Sequence, residues 1–266
     1  MKIAFIGGGN MAEAILSAIL RQNLASPGDI SVSDIVAAKL TNLEQKYRVK
    51  VTGDNLQALQ GKDIIILAIK PQVLSEVMAG LKGQIKPDQM VISIIAGKSI
   101  STLSQGLAHN CLIRSMPNTP AQIGEGMTVW TTTPQVNAAQ KQQAASILGV
   151  MGMEVYVDDE KYLDMATAVS GSGPAYVFLF VECLADAAAK LGFNPEVAQK
   201  LVMQTLLGAA HLLQKSGRTP QELRRMVTSP GGTTAEAIAT FEKGGFADLV
   251  SQAVTAAYEK AKKLGG

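Results

Sequence analysis

Cysteine, histidine and tryptophan are scarce in this chain: its 266 residues hold two cysteines, two histidines and one tryptophan. Cys111 and Cys183 stand far apart in apolar surroundings, which excludes a disulfide-stapled scaffold and reads as two buried, reduced thiols. His109 and His211 have no cysteine or carboxylate at ligand spacing, so neither a metal site nor a catalytic triad is expected. An excess of one charge is also lacking. Residues 1–159 carry 13 Lys/Arg against 12 Asp/Glu, and residues 160–266 carry 11 against 10. Without a basic face or tail, nucleic acid is not an expected partner. No run reaches the roughly 20 apolar residues that span a bilayer. The first apolar stretch is broken by three glycines, Asn10 and Glu13, so no signal peptide, anchor or membrane partner is expected, and the cytoplasm is the expected compartment.

What is present begins at once. Apolar residues run to Phe5 and Ile6, the chain turns through Gly7, Gly8 and Gly9, and Met11, Ala14, Ile15, Ala18 and Ile19 follow at helical spacing. Such a strand, tight loop and helix put Gly7, Gly9 and Ala12 on the G-x-G-x-x-G/A dinucleotide fingerprint. Missing side chains let a pyrophosphate approach the backbone and meet the helix N-terminus. The plainer alternative is a glycine-rich turn with no ligand. Ile30 to Asp34 reads as a second strand, closed by an acidic residue about 20 positions past the fingerprint, where a carboxylate hydrogen-bonds the adenosine ribose and disfavours a 2′-phosphate. Asp34 reads equally as the N-cap of a helix over residues 35–46.

Strands are then expected at Val49 to Val51, Asp63 to Ile69, Met90 to Ile95 and Cys111 to Met116, with helices between them. The second of these is a nearly continuous β-branched run, as in a strand covered on both faces. It ends at Lys70-Pro71, and the last of the set runs into Pro117-Asn118-Thr119-Pro120, where two prolines exclude helix and central strand alike. These loops are expected at the carboxyl edge of a parallel sheet, where open α/β proteins bind ligands. Strands at residues 126–131 and 153–158 around a helix at 136–151 complete a dinucleotide-binding domain over residues 1–159.

From Glu160 the β-branched runs stop, and Ala, Leu and Met at helical spacing predict an all-helical domain over residues 160–266. Its segment 165–191 contains Tyr176-Val177-Phe178-Leu179-Phe180-Val181, too apolar for the solvated helix of a monomer, and reads as a dimer interface or a deeply buried central helix. Ser170-Gly171-Ser172-Gly173-Pro174 reads as a helix break, for packing or for close approach to a ligand. The stretch Thr228-Ser229-Pro230-Gly231-Gly232-Thr233-Thr234 offers backbone N–H groups and hydroxyls at a helix start, a cup for a small carboxylate or else an ordinary capped helix.

Taken together, the opening Gly7-Gly8-Gly9-Asn10-Met11, the Ala68-Ile69-Lys70-Pro71 turn, Ser93 to Gly97, Arg114 to Pro120 (R-S-M-P-N-T-P), Ser170 to Tyr176 and Thr228 to Ile238 resemble the pyrroline-5-carboxylate reductase family over essentially the whole chain. The resemblance implies an N-terminal Rossmann-type dinucleotide-binding domain and a C-terminal all-helical dimerisation domain, sometimes in rings of dimers. It implies NAD(P)H-dependent reduction of L-1-pyrroline-5-carboxylate to L-proline, the last step of proline biosynthesis, with NADPH named first and NADH open.

The same resemblance implies cofactor contacts at Gly7, Gly8, Gly9, Asn10, Met11, Asp34, Asn55, Ala68, Ile69, Lys70, Pro71, Ala96, Gly97, Pro117 and Asn118. It implies a substrate carboxylate held by Ser229, Gly231, Gly232 and Thr233, with Thr234 on the ring nitrogen. A rival, the β-hydroxyacid dehydrogenases, uses a lysine on a central helix, and none occurs here between Gly173 and Lys190. A second rival is a non-catalytic NAD(P)-sensing protein.

Overall fold

The computed structural model describes residues 1–265. Its first elements alternate strictly: β1 (Ile3–Ile6), α1 (Asn10–Arg21), β2 (Ile30–Ser33), α2 (Ala37–Tyr47), β3 (Lys50–Thr52), α3 (Asn55–Leu59), β4 (Ile64–Leu67), α4 (Leu74–Leu81), β5 (Met90–Ser93), α5 (Ile100–Leu107) and β6 (Leu112–Met116). After them come β7 (Gly126–Thr132), α6 (Ala138–Gly149) and β8 (Gly152–Tyr156). One eight-stranded sheet results, in the order β3-β2-β1-β4-β5-β6-β7-β8.

Strand pleating sorts the core into two layers. Ile3, Phe5, Ile64, Ile66, Ile92 and Ile113 face Ile15, Leu16 and Ile19 of α1 and Ile147 and Leu148 of α6. Their neighbours Ala4, Ile6, Ile65, Leu67, Val91 and Leu112 face α3, α4 and α5 through Leu59, Leu74, Met78, Leu103 and Leu107. A sheet buried on both faces explains the unbroken apolar runs. All pairings from β3 to β6 are parallel, so the loops leaving β1, β2, β4, β5 and β6 share one edge, and order reverses between β1 and β4. β7 runs antiparallel to β6, joined to it by a short 3-10 turn at Thr119–Ile123 instead of a crossover helix.

The remaining elements are α7 (Lys161–Ala166), a π-helical turn (Thr167–Gly171), α8 (Gly173–Lys190), α9 (Pro195–Ser216), α10 (Pro220–Met226), α11 (Thr233–Lys243) and α12 (Phe246–Gly265). Local chemistry sets several ends. The Asn194 side chain accepts from Val197 N–H, Pro195 starts α9, and Gly217 closes it at φ +66°. By packing, the chain forms two compact units, Met1–Pro174 with the stretch from Ala256 on, and Ala175–Thr255.

The break expected around residue 170 is a π turn, not an interruption. Lys161–Lys190 is one helix, long and apolar enough by length and composition to cross a membrane, although no uninterrupted apolar run within it reaches 20 residues. Its interruptions by small and polar residues hid it from a count of consecutive apolar positions. Of the two readings of residues 165–191, a deeply buried helix is excluded within the chain: α8 buries no residue. Cys183 on α8 is therefore exposed, correcting the expectation of two buried thiols, while Cys111 at the start of β6 is buried and its thiol is pushed up by that burial.

Candidate functional site

At the reversal of strand order, the turn after β1 meets the turn after β4. Gly7 has φ +100°, and a Cβ there would lie 2.6 Å from the carbonyl oxygen of Ala68. The position admits only glycine. Gly7 N–H donates to Ser33 O (2.8 Å), and Gly8 N–H donates to the Asp34 carboxylate (2.8 Å). No side chain caps α1, whose N-cap is Gly9. The amides of Asn10, Met11 and Ala12 at its start have no partner among the described residues, as an anion site at a helix start requires, while the Glu13 amide already bonds Gly9 O (2.9 Å). Nothing lies within 4 Å of a Cβ built on Gly9, so open space adjoins those amides. Glu13 in this turn does not oppose an anion unmatched: Lys46 and the Tyr47 hydroxyl bond its carboxylate at 2.7 and 2.9 Å and hold it below the usual range. These features fit a dinucleotide pyrophosphate at residues 7–11.

At the end of β2, Asp34 is not the helix N-cap that the sequence offered for it; that place falls to Val36, with no side-chain cap. Asp34 Oδ1 accepts from Val36 N–H (2.9 Å), fixing the entry to α2, which begins at Ala37, not at Ile35. Its Oδ2 holds the glycine loop through Gly8 and pairs with Lys39 at 3.3 Å. Burial alone would raise this carboxyl, but the Gly8 and Val36 amides and the Lys39 ammonium together keep it below the ordinary range. The carboxylate is thus ionised and fixed where a ribose 2′ position is expected. Replacing it tests that placement: Asp34→Ser is expected to raise the NADPH-to-NADH ratio of kcat/KM about tenfold or more, from roughly 1.4 kcal/mol or more of relieved repulsion. The ratio cancels any common damage to the loop, and an unchanged ratio would leave Asp34 a purely structural residue.

Three neighbours escaped the sequence reading. Ser33 Oγ donates to Asn55 Oδ1 (2.6 Å), which turns the Asn55 amide nitrogen outward as a donor. Ile35 is 94% exposed, an apolar platform beside the ribose position. Lys39 is the nearby cation. The spacing of Ile35 and Lys39 from Asp34 could have flagged both; the Ser33–Asn55 bond, 22 residues apart, left no local signal.

Ala68, Ile69, Lys70 and Pro71 follow β4 at the same edge, with Ala68 N–H bonded to Ile6 O (2.8 Å). Ala96 and Gly97 follow β5. Gly97 has φ +65°, and a Cβ there would meet Leu264 Cβ at 2.7 Å, so the last turn of α12 rests on this loop. Pro117 and Asn118 follow β6. The Asn118 amide is already engaged, its Nδ2 donating to Ser170 O (3.0 Å) and its Oδ1 accepting from Met127 N–H (2.9 Å). A cofactor contact at Asn118 therefore falls to its backbone.

In the other unit, the expected cup has the anticipated form. Gly231 has φ +68°, Gly232 N–H bonds Ser229 O (3.0 Å), and Gly232 is the N-cap of α11 without a side-chain cap. The amides of Gly231, Thr233 and Thr234 and the hydroxyls of Ser229, Thr233 and Thr234 have no partner among the described residues. A cavity of about 540 Å³ lies elsewhere, at the amino edge of the sheet beside His109, Cys111 and Gln140. Much of its polar lining is committed internally, His109 Nε2 to Gln89 O (2.8 Å) and Gln140 to Asn137 and Asp88. The carboxyl edge is the better site on topology and free amides.

Residues 160–264 match the pyrroline-5-carboxylate reductase dimerisation family, and residues 2–97 match a coenzyme F420-dependent NADP oxidoreductase family. A pyrroline-5-carboxylate reductase of Synechocystis is 41% identical over 100% of this chain and 98% of its own length. The chain belongs to the pyrroline-5-carboxylate reductase family. The Pseudomonas aeruginosa enzyme of that name is 40% identical over 99% of this chain and 96% of its own. Among solved structures, that of Coxiella burnetii pyrroline-5-carboxylate reductase superposes with TM-score 0.91 at 37% identity, covering 100% and 98% of the two chains. The Plasmodium falciparum enzyme, solved with NADP bound, has TM-score 0.90 at 32% identity over 100% and 98%. Helices α8 and α9 lie within the residues matched to the dimerisation family, and they leave Phe178, Leu179, Leu201 and Leu207 exposed in the single chain.

Proposed function

We infer that this chain reduces L-1-pyrroline-5-carboxylate to L-proline as a homo-oligomer, with NADPH as cofactor and NADH kept open by Asp34. The supporting observation is that one chain, alike end to end to reductases of this name, carries both a glycine turn at the strand-order reversal and the Ser229-to-Thr234 cup. Residues 1–159 serve as the dinucleotide-binding domain and 160–266 as the dimerisation and substrate domain. The cytoplasm suits a chain with two unpaired cysteines.

When bound, the reduced nicotinamide supplies a hydride to the imine carbon, and the ring nitrogen, already protonated, keeps its proton as the amine forms. The amides of Gly9, Asn10 and Met11 would hold the pyrophosphate where it approaches Gly7 and Gly8, whose own amides bond Ser33 O and the Asp34 carboxylate, and Asn55 and Asp34 would hold the ribose. The turns at residues 68–71, 96–97 and 117–118 orient the nicotinamide. The amides of Gly231 and Thr233 with the Ser229 hydroxyl hold the substrate carboxylate, each charge-assisted bond worth about 1.5–3 kcal/mol, and Gly232, whose own N–H bonds Ser229 O, shapes the turn. Thr234 holds the ring nitrogen. A protonated imine is electrophilic already, so positioning donor and acceptor about 3–3.5 Å apart is the protein's main task. No carboxylate cluster or histidine pair is needed. Lys190, the last residue of α8, leaves the β-hydroxyacid dehydrogenase chemistry without its acid on that helix.

Protein mixed with NADPH or NADH and pyrroline-5-carboxylate is expected to consume reduced cofactor and form proline. Binding of NADPH without turnover would favour the sensing protein instead.

A further inference from the structure

Arg114 is the last residue of β6 paired with β5, three residues before Pro117, and its side chain is 4% exposed. Nη1 donates to Glu160 Oε1 (2.8 Å) and Nη2 to Asp164 Oδ1 (2.7 Å). Glu160 Oε1 also accepts from Ile100 N–H (2.7 Å), at the start of the helix that follows the Ala96–Gly97 turn. Further along the same strand, a Cβ on Gly171 would lie 2.7 Å from Met116 Cε. Beyond that, Asn118 bonds the carbonyl of Ser170. This carbonyl lies in the π turn, where Ser172 N–H reaches back five residues to Thr167 O (2.8 Å) and shifts the helical pairing. Residues 160–171 are thereby fixed against two of the three turns assigned to the nicotinamide, those at 96–97 and 117–118.

Stability gives little reason for such a cluster. Three ions taken from water cost several kcal/mol each in desolvation, and well-packed apolar residues in their place are often neutral or better. What the cluster supplies is one fixed geometry, because the guanidinium fork meets two carboxylates from successive turns of α7 in a single orientation. We infer that Arg114 is a positioning residue of the reduction. Clamped by Glu160 and Asp164, it sets the Pro117–Asn118 and Ala96–Gly97 turns in the places from which the nicotinamide is presented to the imine. This rests on the reductase reading above.

The triple variant Arg114→Met, Glu160→Gln, Asp164→Asn removes all three charges with similar side-chain shapes and leaves no buried ion without its partner. Turnover with pyrroline-5-carboxylate, NADPH affinity by cofactor fluorescence and melting temperature would be compared with the unaltered chain. The expected result is a kcat about 30-fold lower, with NADPH Kd and substrate KM within about threefold, as for a misplacement of an ångström or less. Arg114→Lys, which keeps the charge but loses the fork, is expected to fold and to recover all but about threefold to tenfold of kcat.

An unchanged kcat in either variant, or losses of NADPH affinity and melting temperature that parallel the loss of kcat, would overturn the assignment. If the triple variant does not fold, Arg114→Lys alone decides by the same criteria. An unaltered chain that binds NADPH but does not reduce the imine would remove the reductase reading and this inference together. An active chain with indifferent variants removes this inference only.

Discussion

Gly7→Ala is expected to abolish measurable NADPH binding and to lower folding stability by about 2–5 kcal/mol, the sum of a strained backbone and an overpacked site. Gly7 sits at φ +100°, outside the region that a residue with a Cβ occupies without strain. The new methyl would stand 2.6 Å from Ala68 O, 2.9 Å from Ala68 C and 2.9 Å from Ile69 Cγ2. Two of those atoms are backbone at the end of β4, held to β1 by the Ala68 N–H to Ile6 O bond. The loop cannot yield without opening the sheet where its order reverses. Gly9→Ala is the matched control. Gly9 has φ −80° and nothing near its would-be Cβ, so stability should stay within about 0.5 kcal/mol. Its methyl instead enters the open space above the helix amides, so NADPH affinity should fall while the melting temperature holds. Thermal melts with and without NADPH distinguish the two, and a Gly7→Ala protein that melts and binds normally would remove the glycine turn from the site.

Thr234→Ala is expected to lower kcat roughly 10- to 100-fold, the loss of one hydrogen bond to a charged group worth about 1.5–3 kcal/mol. NADPH affinity should stay unchanged. Structural damage is a poor explanation for such a loss at this position. Thr234 lies in the first turn of α11, where alanine is the better helix former, and its hydroxyl bonds nothing among the described residues. Thr234→Ser, which keeps the hydroxyl, should recover most of the turnover. Equal kcat for the alanine variant and the parent would move the ring nitrogen to another residue.

How much could be read without coordinates varies with the range of the interactions involved. The starts of the helices Ile100–Leu107 and Pro195–Ser216 are of the legible kind, because Ser99 and Asn194 bond their own helices' amides and such caps are written locally. The glycine turn was legible for the same reason, since G-x-G-x-x-A records what the backbone must do. Asp34 was harder. Its carboxylate holds the glycine loop through Gly8, a contact 26 residues apart that the sequence did not show, and the helix it was read as capping begins two residues later, with Val36 as its cap.

Features built from distant pairs left no trace. Arg114 meets its carboxylates 46 and 50 residues away, and Asn118 meets Ser170 across 52. The antiparallel course of β7 depends on a short turn that local composition does not distinguish from a crossover. Cys183 was misplaced because an apolar neighbourhood in one chain says only that something covers it, not that the same chain does.

The uncovered faces of α8 and α9 bear on how the molecule is made. Trp130, the only tryptophan, is 3% exposed in the sheet core, with its indole N–H on Glu154, so its environment is complete once a single chain has collapsed. Phe178, Leu179 and their neighbours gain shelter only by meeting another polypeptide. Renaturation accordingly divides into an early event of first order and a late one of second order. In dilute solution the half-assembled subunit persists, and it is the species most prone to clump.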